Sequence, residues 1–103
     1  MEYNLDNLAA NIVGWARDRN LIEGSTTQAQ FVKLIEEIGE LAEGIAKNRP
    51  LVVQDSIGDA FVVLAILAEQ SGFDMQTCVG FAWDEIKHRK GHMENGVFIK
   101  QGD

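Results

Sequence analysis

The sequence predicts an all-α fold, a small four-helix bundle that oligomerises through its apolar helices. Three observations carry that expectation. Apolar residues recur at helical spacing along most of the chain. No strand-like alternation precedes residue 91. The connections between periodic segments are short, which favours antiparallel neighbours. A length of 103 residues allows one domain, with a helical core over about residues 5–90. The tail, residues 91–103, carries Gly91 and Gly96 and no pattern that assigns it a structure.

The first helix is expected over residues 5–19, where Leu5, Leu8, Ala9, Ile12, Trp15 and Ala16 follow helical spacing. The second opens after Ser25, Thr26 and Thr27, with Thr27 and Gln30 spaced as a capping box. Phe31, Leu34, Ile35, Ile38, Leu41, Ala42 and Ile45 then form one stripe centred near Ile38 and Ala42. Asn48 and Pro50 close this helix.

The third helix is expected from about residue 52 to 70. Its segment AFVVLAILA, residues 60–68, has no polar side and reads as a helix buried all round. Nine residues are too few to span a bilayer, which needs ~20. Four helices can hardly surround one of their own number, so a second subunit is expected to cover part of this one. Gly72 ends it, and Asp74 can cap a fourth helix reaching about residue 89. Cys78, Val79, Ala82 and Ile86 are its inward side, with Cys78 a small buried apolar residue.

Lys and Arg number 9 against 16 Asp and Glu, a net charge of −7. An acidic chain lacks the basic footprint of a nucleic-acid or anionic-membrane binder. One cysteine can form neither an internal disulfide nor a thiolate metal cluster. The first residues, MEYNLDNL, show no basic region or apolar run of a leader. Cytoplasmic placement is the expectation.

Carboxylates are concentrated on two helices. Glu36, Glu37, Glu40 and Glu43 fall on the second. Glu37 and Glu40 are three apart, close enough on a helix to share a cation. Glu40 and Glu43 are expected opposite the apolar stripe and Glu37 on its flank. Asp55 and Asp59 lie four apart on the third helix, on one stripe with Val62 and Ile66. If that stripe is buried, its acids must be protonated, paired or metal-bound. Residues 50–86 contain no Lys or Arg. A divalent ion shared with Glu37 and Glu40 would satisfy both helices. An all-oxygen donor set suits Mg²⁺ or Mn²⁺, and Mg²⁺ commonly shares its shell with substrate phosphates.

The stretch Glu36-Glu37-Ile38-Gly39-Glu40-Leu41, followed by Gly58-Asp59 at the head of an apolar helix, resembles the MazG-like all-α NTP pyrophosphohydrolases. The resemblance extends over about residues 5–92, and the tail is similar to that of short stand-alone or phage-type members. It implies the reaction NTP or dNTP + H₂O → NMP + PPi, with Mg²⁺ or Mn²⁺ as cofactor and a nucleoside triphosphate as partner. Glu37 and Glu40 match the family's first metal-binding pair, and Asp59 its final aspartate. Ser56 departs from the pattern, standing where a glutamate is expected, and Asp55 is the nearest carboxylate. Glu36, beside the ligand pair, is the candidate base for a water attacking the α-phosphorus.

Lys87, Arg89 and Lys90 form the basic cluster of the chain and stand where the family carries phosphate-contacting residues. They also suit a helix C-terminus. Trp15 is a candidate for stacking on a base, while His88 and His92 read as surface residues. A homodimer or homotetramer is expected. The hydrolase reading implies house-cleaning of noncanonical or excess nucleotides. Its alternative is a non-catalytic acidic interaction module with a decayed metal site, for which Ser56 is the motive.

Overall fold

The computed structural model describes residues 3–102. Four helices follow one another: α1 (Leu5–Asp18), α2 (Thr27–Ala46), α3 (Pro50–Gln70) and α4 (Met75–Ile86). A two-stranded antiparallel hairpin, β1 (Gly91–Glu94) and β2 (Val97–Lys100), ends the chain. The all-α bundle fold is therefore as expected.

Polar caps start three of the helices. The Asn4 side chain accepts hydrogen bonds from the amides of Asp6 and Asn7 at 2.9 and 3.2 Å. The α2 cap is Thr26 rather than Thr27, its hydroxyl accepting from the Ala29 amide at 3.0 Å. Gln30 turns instead to the Ser25 hydroxyl at 3.1 Å, so the expected capping box does not form. Asp74 caps α4 as expected, accepting from the Thr77 amide at 2.7 Å, and this bond holds its carboxyl below the usual carboxylate range. Pro50 opens α3 instead of merely closing α2. Its ring presets a helical φ, and its missing N–H costs nothing in the first turn.

The antiparallel pair α2–α3 is the spine. Gly44 permits their close approach: a Cβ there would come within 3.0 Å of Val52 and 3.2 Å of Val53. The face of α2 turned to α3 is Leu34, Glu37, Leu41 and Gly44, one step round the helix from the expected centre at Ile38 and Ala42. Phe31, Ile35, Ile38 and Ile45 stay exposed on the other flank. Both flanks are apolar, and the small Gly44 decides which one fits against α3.

The apolar core lies at the other end of α3, where Ile66 packs with Ala16 and Ile22, flanked by Val13, Leu21 and Val62. The loop between α1 and α2 is tied to it by the Gln70 amide, which donates to the Leu21 and Ile22 carbonyls at 3.4 and 3.1 Å. Arg17 of α1 pairs with Glu69 of α3.

Three expectations are corrected. The run at residues 60–68 is not buried all round within the chain, since Leu64 remains 41% exposed. Cys78, Val79, Ala82 and Ile86 are exposed, because α4 packs chiefly on α3 and only lightly. α4 also ends at Ile86, so Arg89 and Lys90 lie beyond the helix. Flanking apolar residues lengthen the apolar character of α3. Among the described residues it alone is long and apolar enough to cross a membrane. Asp55 and Asp59 interrupt it, and Ala60, Val63, Ala65, Ile66 and Ala68 are buried, which marks a central bundle helix.

The tail is ordered by its turn. Asn95 and Gly96 both have positive φ, 51° and 79°, the two-residue type I′ geometry that joins antiparallel strands. Its register pairs Gly91 with Lys100 and Glu94 with Val97.

Ile66 is 3% exposed, so Ile66→Ala should cost about 2–5 kcal/mol of unfolding free energy. Urea denaturation followed by circular dichroism measures the loss.

Candidate metal centre

The register of α2 against α3 brings three acids together. Glu37 lies on the face of α2 that meets α3, Glu40 follows one turn later, and Asp59 faces them from α3. One carboxylate oxygen of each lies within 4.8 Å of the other two. Gly44 against Val52 and Glu37 against Asp59 define a single antiparallel register, which sets Ser56 level with Glu40 inside the interface. Ser56 is 2% exposed. At that level the chain supplies a hydroxyl in place of a fourth carboxylate.

Glu37 governs the electrostatics. It is 5% exposed. Lys33, one turn earlier on α2, reaches its Oε1 at 3.3 Å and Glu36 at 3.6 Å. Oε2 is buried and has no hydrogen-bond partner among the described residues. The hydrogen bond and charge of Glu37 push the Lys33 ammonium pKa up. The charge of Glu37 also pushes Glu40 above the usual carboxylate range. Burial raises Asp59, and the charges of Asp55 and Glu37 add to it. Both acids therefore hold protons more firmly than free carboxyls. A divalent ion would remove that penalty, and the donor set is the hard oxygen type that Mg²⁺ and Mn²⁺ prefer.

The other candidate residues are dispersed. Asp55 is exposed, against the expectation that it shares the burial of Val62 and Ile66. It stays outside the close trio and borders Asp59 across a shallow hollow that includes Gln54 and Gly58. At the head of α3 the stripe has left the core, which lies at the Ile66 end. Glu36 is exposed and held by Lys33. Trp15 is half exposed, and the Arg19 guanidinium covers one face of its ring at 4.6 Å. Lys87 pairs with Asp84 at 3.0 Å. Arg89 and Lys90 line a groove with His88 and Lys100. The role of Lys33 was open to a sequence argument, since Lys33 and Glu37 have the i, i+4 spacing of helix ion pairs. Lys100 was not, without the hairpin.

A family model of the MazG nucleotide pyrophosphohydrolase domain matches residues 25–94. That span holds the carboxylate trio, Lys33 and the basic cluster Lys87, Arg89 and Lys90. The chain belongs to the MazG nucleotide pyrophosphohydrolase family. It is also 59% identical over 71 residues to an uncharacterized 18.2 kDa protein from the rep-hol intergenic region of Haemophilus phage HP1 (strain HP1c1). The match covers 69% of this chain and 44% of the phage protein, so the chain spans less than half the length of that relative. No solved structure matches. The MazG assignment agrees with the resemblance carried by Glu36-Glu37 and Glu40 on one helix and Gly58-Asp59 on the next.

The raised acids give this MazG domain a testable pH dependence. Their folded-state pKa values exceed the unfolded ones, so the stability they contribute is complete below the unfolded value. It is lost as the pH climbs through the folded one. In chelator, wild type should lose stability across that window just above the ordinary carboxylate range. Asp59→Asn, which carries no such charge, should lose less and melt higher than wild type at neutral pH. Thermal melts from pH 4 to 8 check both statements.

Proposed function

We propose that the chain is a Mg²⁺-dependent nucleoside triphosphate pyrophosphohydrolase, converting NTP or dNTP and water to NMP and PPi. The observation that carries this reading is the buried, partnerless Oε2 of Glu37 inside a trio of mutually repelling carboxylates. A buried carboxylate costs several kcal/mol unless it is compensated, and Lys33 reaches Oε1 alone. Membership of the MazG family supports the same chemistry.

Glu37, Glu40 and Asp59 would hold the ion, and Asp55 at the edge of the hollow is placed to approach it from the solvent side. An ion held there would neutralise triphosphate charge and make the α-phosphorus a better electrophile. Glu36, one turn before Glu40, is the candidate to accept the proton of the attacking water. As the new P–O bond forms, the bond to the β-phosphate bridging oxygen breaks and pyrophosphate leaves. Arg89 and Lys90 supply positive charge for the phosphates, with Lys87 beside them. Trp15 offers its uncovered face to a base. Clearing noncanonical or excess nucleotides suits such an activity.

The open apolar flanks, Phe31, Ile35, Ile38 and Ile45 on α2 and Val79 and Ile86 on α4, support association of copies as a homodimer or homotetramer. Ser56, in place of a carboxylate, favours a second reading: a non-catalytic helical module with a decayed site. That module would gain no stability from Mg²⁺.

Purified chain with Mg²⁺ and a panel of NTPs and dNTPs should release NMP and PPi, resolved by ion-exchange chromatography. Glu40→Gln should lower kcat/KM by about 100-fold or more, at the upper end of losses seen when a metal site is disturbed. Without nucleotide, Mg²⁺ at 100 times its Kd should add about 2.7 kcal/mol to stability. That is a rise in Tm on the order of 10 °C for a domain this small. Absence of both effects would reject the hydrolase and leave the module.

A further inference from the structure

The carboxylate trio has a single cationic neighbour. Among the described residues, the ion pairs that reach Glu37, Glu40 or Asp59 come from Lys33 alone. Lys33, Glu37 and Glu40 stand at i, i+4 and i+7, so they follow one another along the face of α2 that carries Gly44. Residues 50–86 hold no Lys or Arg, so α3 cannot supply a second cation. The Lys33 side chain is half exposed and that of Glu37 is buried. Its stem therefore runs in from solvent and brings the ammonium to Oε1. Three carboxylates against one ammonium leave two negative charges, the charge of one divalent ion. The Ser56 hydroxyl, buried at the level of Glu40, leaves that balance unchanged. Glu36 and Asp55, the other acids nearby, are exposed, where water and salt screen them.

We propose that Lys33 is a built-in counter-ion of the metal centre: its ammonium partly neutralises the trio when no divalent ion is bound, and opposes the ion when one enters. The inference rests on the metal centre of the hydrolase reading. Both roles follow from charge. Without the ammonium, Glu37 would carry a desolvated charge with no partner on either oxygen, and the helix pair would depend on an ion. With it, an arriving ion meets a like charge on the other oxygen of the same carboxylate, and the repulsion loosens its hold. Lys33 also reaches Glu36 at 3.6 Å, which gives the ammonium a second partner on the solvent side once an ion has taken Glu37. The helix pair thereby stays folded without metal. A loosely held ion can enter and leave with the phosphates that share its shell.

The test titrates the full chain, stripped of metal and without nucleotide, with Mn²⁺ by calorimetry. Lys33→Met should bind the ion about tenfold more tightly than wild type, the scale of one repulsion between nearby charges at a partly exposed site. Lys33→Gln, which keeps a hydrogen-bond donor and loses the charge, should match Lys33→Met, and Lys33→Arg should stay near wild type. Lys47→Met removes the cation of an exposed pair with Glu43 on the same helix and should leave the affinity unchanged. In chelator Lys33→Met should melt below wild type, and saturating Mn²⁺ should close the gap. Circular dichroism verifies that each variant keeps its helices. Equal or weaker affinity in Lys33→Met, or the same tightening in Lys33→Arg, overturns the counter-ion role and leaves the hydrolase reading untouched. An equal loss of melting temperature with and without Mn²⁺ also overturns it, since a merely structural lysine would give that result. Absence of Mn²⁺ binding in every variant overturns the role together with the metal centre. Tightened binding in a chain that hydrolyses no nucleotide would uphold the role and refute the hydrolase reading instead.

Discussion

The desolvated carboxylate of Glu37, wedged between α2 and α3, is the constraint around which the molecule is arranged. An ionised acid taken out of water must be compensated, and the interior provides little to do so. Lys33 satisfies one oxygen from the same helix. A Glu37 oxygen also lies within 4.8 Å of Glu40 and Asp59, two further negative charges. A bundle selected for stability alone would place apolar side chains here, since replacing buried charges by packed hydrophobic residues is often neutral or stabilising. The trio instead keeps a region of unmet negative potential at a fixed place in the helix pair.

The two halves of α3 divide the labour. Its later half, through Ala65, Ile66 and Ala68, is buried and anchors α1 and the following loop. Its earlier half carries Asp55, Ser56 and Asp59, and its Val52, Val53 and Asp59 meet α2. Stability is concentrated at one end and the polar groups at the other. The penalty at the carboxylates is thus borne by a helix held at a distance by packing. Gly44 seats the earlier half, because the close contact it allows with Val52 and Val53 fixes how α3 is rotated against α2.

Much of this was legible in the residues. Helical spacing marks all four helices, and the pattern of acids singles out Glu37, Glu40 and Asp59. The buried side of α2 could not be read there. Leu34 with Leu41 and Ile35 with Ile38 are apolar flanks of similar strength, and only the fit at Gly44 separates them. Asp55 was expected to share the burial of Val62 and Ile66, but a stripe stays buried only as far as a neighbouring helix covers it. For α4 the apolar spacing was real, yet one chain offers no surface to cover it. The hairpin did have a local sign, Asn95-Gly96, whose positive φ values suit a tight turn. Its four-residue strands are wholly exposed, so no apolar alternation drew attention to them.

The link between α2 and α3 is three residues long, with Asn48 in the left-handed region at φ 52°. Removing one residue from a connection this tight obliges the following helix to rotate by about 100° or to slide by about 1.5 Å to stay joined. Either change would carry Asp59 away from Glu37 while leaving every helix intact. The link is therefore held in length as well as at Asn48, whose positive φ suits few side chains: an insertion or deletion there would keep the helices and part the acids.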